Sequence, residues 1–564
     1  MQFRFVSSLV ASLVVTAPFV LGALSPCVGQ DAKGFYVNED LGFRVKVPEE
    51  WSEIPVRIDE NWIVSKFLSK KTWLSKSKDW NEEHRPLMTV IVFTADATRF
   101  KGWAQQQRGN TTFTRITDLP YRDYQDYLKR NLTNGYFFQV EETGESAGTK
   151  LHRFEILQHK RDPAKRLLAW VFHGEDMDVA VEFEVLEDRI DRLRAVCEQS
   201  LASFRFDEGG KLRSKGPSTG PADAALADSK LWTEFRDEWK KAPRKERHRV
   251  RKDVEERRFE KLRETTPASW TITESKHFLV ISHADPKTTK RMTDSIETFR
   301  AWCNETLGEL TDEYVRRGVL RICADDAEYM AYFKGSGDSW TFSSDEDREI
   351  VTYKDGYAGS SGLGAGELFD DILEMYLADL DPLLLMYTPS WLRAGMVDYV
   401  TAANIKGNEL DFRVDDYERE ELKELERAGK LKTLRELMTL DEEAYWKEVS
   451  TGRRTRSQLT NAFRFLIGPA RSQPQLKHFL WNYLTVVIAV ADEHRKKSEA
   501  EPIKVDKAPE TEEEEEARAK KRNKDDSWQK KRRAIHEAVS EKALTFDAKT
   551  WERLENAYQK FARN

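Results

Sequence analysis

A stretch with no apolar period, GGKLRSKGPSTGPADAA starting at Gly209, cuts this chain into parts that must each fold on their own. Glycine, proline, serine and lysine dominate it, and such a composition offers too little apolar surface to order itself. Residues 208–227 therefore read as a linker. The chain has 564 residues, so the pieces on either side are each long enough to bury a core.

Before the linker, apolar residues recur every second position. Gly42-Phe43-Arg44-Val45-Lys46-Val47-Pro48 alternates as a half-buried strand does. Further strands are expected over Trp62–Phe67, Leu87–Phe93, Gly135–Val140, Lys150–Gln158, Leu167–His173 and Asp178–Val185. Helical spacing is expected over Tyr121–Asn131 and over Glu187–Phe204, where Ile190, Leu193, Val196, Cys197 and Leu201 share a face. Residues 34–207 are thus α+β, an α/β sandwich built on an antiparallel sheet.

Beyond the linker the period changes. A densely charged helix is expected over residues 228–266, with its locally basic stretch Lys240–Lys252 reading as a solvated face. A larger, mostly helical domain with a small sheet follows over 267–490. Its elements are a long helix over Lys287–Leu310, strands at Val319–Cys323 and Glu349–Tyr353, and helices from Glu367 and Pro389. Core helices over Leu459–Ile467 and Gln475–Val490 close it. Residues 491–531 are charged and of low complexity, and 532–564 end in an amphipathic helix carrying Trp551, Leu554, Ala557, Tyr558 and Phe561.

Arg4 followed by the apolar run Phe5–Leu24 has the layout of an export signal over residues 1–30, implying a periplasmic or extracellular protein. Leu24-Ser25-Pro26-Cys27 only faintly matches a lipid-attachment motif, so contact with a membrane is expected through the signal alone or an anchor at Cys27. Cys197, Cys303 and Cys323 remain, too few for a disulfide-built fold; Cys303 and Cys323 share a domain and are the one candidate pair within it. A net charge of -7 speaks against a nucleic-acid partner and leaves a protein or cell-envelope partner.

Two resemblances add to this reading. The segments "GFRVKVPEEW" (Gly42–Trp51) and "SLASFRF" (Ser200–Phe206) resemble the PsbP-like family of small exported α/β sandwiches. That resemblance implies binding rather than catalysis. "TPSWLRAGMVDYV" (Thr388–Val400) resembles the gluzincin-type zinc metallopeptidases of the peptidase-MA clan, with Pro389, Trp391, Leu392, Gly395, Asp398 and Tyr399 matching.

Members of that group need two histidines four apart on a helix, a glutamate beside the first as general base, and a third ligand on the next helix. In the best register, Leu373 and Leu377 take the histidine positions, Glu374 matches the base, and Ala394 stands for the third ligand. Leucine and alanine have no lone pair to give a metal, and no histidine lies between His283 and His478. The resemblance therefore implies a zincin-like domain with a degenerate site, no zinc and no other cofactor.

Asp370, Asp371 and Glu374 share a helix edge but lack the oxygen-rich loop of a calcium site. Gly362–Gly366 lacks the Lys-Ser/Thr of a phosphate loop. His152, His159 and His173 lack ligand spacing, and Cys303 with His277 or His283 is a nucleophile pair only if the fold joins them. The sequence thus reads as an exported, non-catalytic, peptidase-like protein with a binding or scaffolding role. The alternatives are an active hydrolase with a non-standard site around Glu374 and a structural envelope protein.

Overall fold

The computed structural model describes residues 34–94, 105–114, 121–207, 252–308, 317–333, 349–353, 365–500 and 527–563, with short interruptions. The segment expected to be an export signal, Cys27, residues 211–227 of the expected linker, residues 362–364 of the glycine-rich stretch and the Glu512–Glu516 run lie outside the described residues.

The first unit comprises β1 Phe35–Asn38, β2 Phe43–Lys46, β3 Trp51–Ile54, β4 Ile63–Ser69, β5 Trp73–Lys76, β6 Asn81–His84, β7 Leu87–Thr94, β8 Gln105–Arg108 and β9 Thr111–Thr114. It continues through α1 Tyr124–Asn131, β10 Phe137–Ser146, β11 Thr149–Gln158, β12 Lys165–His173, β13 Met177–Leu186, α2 Ile190–Ala202 and β14 Arg205–Phe206. Seven strands form one antiparallel sheet in the order β10-β11-β12-β13-β7-β4-β3. The smaller sheet β1-β2-β14 and α2 cover one face, burying Phe43, Val45, Cys197, Leu201 and Phe204 against Val90, Phe172 and Phe183. Helix α1 covers the other, placing Tyr124, Tyr127 and Leu128 on Ile91, Phe154 and Ile156. Strand β7 is apolar on both sides because both of its faces are covered. The expected antiparallel sandwich is present, and the short hairpins β5-β6 and β8-β9 are additional to it.

The second unit opens with the described end of the charged helix. Phe259 and Leu262 dock on the outer face of a four-stranded sheet, so this end is not a fully solvated rod. The sheet contains β15 Thr271–Glu274, β16 Phe278–Ser282, β17 Gly318–Cys323 and β18 Glu349–Tyr353, in that order. Strand β15 is antiparallel to β16, and the other pairs are parallel. Helix α3 (Pro286–Leu307) makes the crossover from β16, capped by Asp285, whose carboxylate accepts from the Thr288 amide at 2.9 Å. Helix α4 (Asp326–Phe333) follows β17.

The helical part comprises α5 Ala365–Leu380, α6 Pro382–Tyr387, α7 Ser390–Thr401, the hairpin β19 Ala403–Lys406 and β20 Glu409–Phe412, α8 Asp416–Arg427, α9 Leu434–Met438, α10 Glu442–Ser450 and α11 Arg454–Ile467. Three more complete it: α12 Phe479–Ala500, α13 Ser527–Ala543 and α14 Ala548–Ala562. The sheet's inner face, α3, α5, α7, α11 and α12 bury one continuous core. The C-terminal helices belong to it, because Ile535, Val539, Trp551, Leu554 and Tyr558 are buried there. Among the described residues no helix is long and apolar enough to cross a membrane.

Alternation along β17 decides the cysteines. Leu320 and Ile322 enter the large core, whereas Val319 and Cys323 face the charged helix on the opposite side. Cys303 lies in the large core, so the sheet stands between it and Cys323, and both are free thiols.

Candidate functional site

Helices α5 and α7, which carry Leu373, Leu377 and Ala394, pack side by side. Leu373, Leu377 and Ala394 are 1%, 3% and 8% exposed and belong to the same core. Trp391 is fully buried, and its indole N–H donates to the Tyr483 hydroxyl at 3.3 Å. Leu392 is fully buried beside it. Pro389 ends the preceding loop in extended conformation and caps α7, its carbonyl accepting from the Leu392 and Arg393 amides.

Gly395 has a geometric reason to be glycine. A β-carbon there would lie 2.6 Å from the Leu459 carbonyl oxygen on α11, so the two helices approach only because the side chain is missing. Asp398 leaves the core and pairs with Arg456, whose Nε donates at 2.9 Å. Tyr399 stacks on Phe412 with ring centroids 4.3 Å apart, and burial pushes its hydroxyl up to about 12.

Glu374 is held by Arg393, whose Nη2 donates to the Glu374 carboxylate while Nη1 donates to the Leu385 carbonyl at 3.3 Å. No motif in the sequence marks Arg393. The signal for it was its position, between Leu392 and Ala394 on the helix that faces Glu374. Asp371 is buried and Asp370 half-buried at the start of the same helix. Among the described residues, no group of three or more His, Cys, Asp or Glu is arranged to hold a metal ion.

The nucleophile pairing is not assembled. His277 Nδ1 lies 2.5 Å from Glu297, His283 Nδ1 lies 2.7 Å from Glu328, and Cys303 is fully buried with its thiol pushed up to about 12 by burial. His152 and His173 sit on strands beside Glu141 and Asp178, at 3.9 and 3.0 Å. His159 lies beside the Phe137 ring, with centroids 5.5 Å apart.

One concavity of this domain borders the end of α7 at Tyr399. A cavity of about 300 Å³ is walled by Trp302, Tyr399, Phe412 and Phe561, with Arg464 and Arg471 at its edge. Arg464 sits 5.8 Å over the Tyr399 ring and 3.6 Å from Glu418. Arg471 donates to the Glu305 carbonyl at 3.1 Å. A second cavity of about 260 Å³ adjoins it through Glu305, Thr306 and Arg471. Glu305 also lines the cavity and Glu418 offsets Arg464, which leaves Arg471, bonded to a backbone carbonyl, as the cation beside the flat rings.

Comparison with protein families and with curated proteins returns no match. Among solved structures, the chain is similar to the cyanobacterial PsbP (CyanoP) of Synechocystis sp. PCC 6803, at 16% identity over 33% of this chain and 99% of that one, with a TM-score of 0.22. It is also similar to a protein of unknown function from Pseudomonas aeruginosa, at 8% identity over 23% of this chain and 94% of that one, TM-score 0.14. A protein from Bacteroides thetaiotaomicron VPI-5482 matches at 11% identity over 40% of this chain and 69% of that one, TM-score 0.18.

Proposed function

We propose that this is an exported binding protein, in which a zincin-like helical domain without zinc ligands stands behind a PsbP-like sandwich. The observation that carries the reading is the α5–α7 contact. Leu373, Leu377 and Ala394 fill it with apolar side chains, and Arg393 occupies the carboxylate of Glu374. A metal-bound water needs lone-pair donors and an open coordination position, and leucine and alanine supply neither. Export is supported by Arg4 and the Phe5–Leu24 run.

Binding is assigned to the Tyr399 cavity, for a planar acid. Elemental analysis of the purified protein after incubation with zinc tests the first half: less than one metal per chain is expected, and a stoichiometric, tightly held metal overturns the reading. Calorimetric titration with N-acetyltryptophan against its amide tests the second. The acid is expected to bind the more tightly, and Arg471→Gln to abolish the difference. Equal binding of acid and amide removes the cavity from the proposal.

A further inference from the structure

Strand β10 ends the seven-stranded sheet, and among the described residues no strand pairs with its outer side. It is ten residues long, FFQVEETGES, and nine of the ten are exposed. Edge strands are ordinarily kept from pairing by short length, proline, charged side chains, a bulge or a covering element. This one has no proline, lysine or arginine; its register against β11 shifts once, between Phe138 and Val140, and its charges are all carboxylates, which turn away like edges and admit a basic one. It displays Phe137, Phe138 and Val140, which are 45%, 37% and 37% exposed, followed by Glu141, Glu142 and Glu145. Apolar side chains at one end and carboxylates along the rest make a row of backbone donors and acceptors with a chemical preference.

The carboxylates argue against a second copy of this chain. A full-length antiparallel pairing of β10 with itself sets Glu141 opposite Glu142 of the second copy, twice, at the centre of the ladder. Like charges directly opposite destabilise a strand pair. A segment with lysine or arginine at those positions gains where a second copy loses. Arg153, 3.4 Å from Glu142, already seats a cation beside one of these carboxylates from β11, while the Gln125 side-chain amide donates to Glu141 at 2.6 Å.

We infer that β10 is an interaction edge that takes up an extended basic segment of another polypeptide by strand addition. The added strand pairs with the open backbone groups, lays apolar residues beside Phe137, Phe138 and Val140, and sets its cations against Glu141, Glu142 and Glu145.

The test uses the full chain and three labelled ten-residue peptides read by fluorescence anisotropy: six lysines followed by four valines, which an antiparallel addition sets opposite Ser146–Glu141 and Val140–Phe137, the same peptide with glutamate for lysine, and the lysine peptide with every amide N-methylated. The lysine peptide is expected to bind about tenfold or more tightly than the other two. The exposed triple variant Glu141→Lys, Glu142→Lys, Glu145→Lys, with its fold checked by circular dichroism, is expected to reverse the preference. Equal binding of lysine and glutamate peptides, indifference to N-methylation, or an unchanged preference in the triple variant overturns the proposal. So does sedimentation showing a dimer of the parent chain that the triple variant dissolves, because the edge is then occupied by a second copy.

Discussion

The ammonium of Lys66, on the N-terminal sheet, donates to the carbonyl oxygen of Ala331 in the other unit at 3.2 Å. Ala331 lies in the last turn of α4, where unpaired carbonyls and the helix dipole favour a cation. The same ammonium pairs with Glu60 at 2.7 Å, and its side chain is fully buried. Around it Ile54, Leu68 and Leu87 pack on Ala331, and Arg85 pairs with Asp325 at 2.5 Å at the start of the same helix. A buried charge thus joins the sandwich to the helical unit.

Removing that charge leaves Glu60 beside an apolar contact without its cation, and breaking a buried pair costs about 3–5 kcal/mol. Lys66→Met is expected to lower stability by about 3 kcal/mol. In urea unfolding followed by far-ultraviolet circular dichroism, a single transition of the parent is expected to shift down or split in two as the units uncouple. An unchanged midpoint would show that the contact does not couple them.

Gly395→Ala puts a methyl group 2.6 Å from a backbone oxygen that cannot turn away, unlike a flexible side chain. Helices α7 and α11 must separate, and overpacking of this kind costs about 1–3 kcal/mol. The expected result is a lower thermal midpoint, with the neighbouring control Met396→Leu close to the parent. Equal midpoints for Gly395→Ala and the parent would mean that the helices are not held at this distance.

Local period made the fold readable, and long-range pairing did not. The alternation of Phe43, Val45 and Val47 and the run Leu87–Phe93 located strands β2 and β7, because one face or both are covered. Strand β10 runs past Val140 to Ser146 through Glu141, Glu142 and Glu145, which no apolar alternation marks, because both of its faces are exposed. Phe259 and Leu262 sat unnoticed within a segment read as solvated, since two apolar residues give too weak a stripe among so many charges. At the candidate site, the residues of the Thr388–Val400 segment were legible, but their partners Leu459, Arg456 and Tyr483 lie about sixty to ninety residues on, and no spacing rule reaches that far. Arg393 was in plain view, yet its pairing with Glu374 depends on the packing of α5 against α7.

Glu53 on β3 gives the protein a pH dependence of known sign. Burial pushes its carboxyl up to about 7, opposed by the Ser65 hydroxyl, which donates to it at 2.8 Å. An acid whose folded pKa lies above its ordinary value of 4.5 stabilises the fold in its neutral form. That contribution is complete below the ordinary value and is lost as pH climbs to about 7. Glu53→Gln keeps an oxygen for Ser65 and stays neutral. It is expected to match the parent near pH 4 and to exceed it in stability at pH 8, measured by urea unfolding at each pH. Parallel stability curves for parent and variant would show that Glu53 ionises normally in the fold.

The peptidase resemblance has a direct structural test in Leu373→His, Leu377→His, Ala394→Glu. Four-residue spacing on α5 puts both histidines on one helix face, and α7 packs against that helix. Without metal the three polar groups enter a core where their parents are at most 8% exposed, and the variant is expected to lose several kcal/mol, on the order of 2–7 per unsatisfied group in the worst case. Zinc added in excess is expected to restore much of that loss, because binding to the folded state alone stabilises it by mass action. The measurement is the thermal midpoint with and without zinc, with magnesium as the control ion. A variant that folds but shows no zinc-dependent rise would mean that the three positions do not converge on one point, and the zincin register would fall with it. A zinc-dependent rise in the parent chain would be the opposite result: it would place a metal site elsewhere in the protein and send the search to Asp370, Asp371 and Glu374 first.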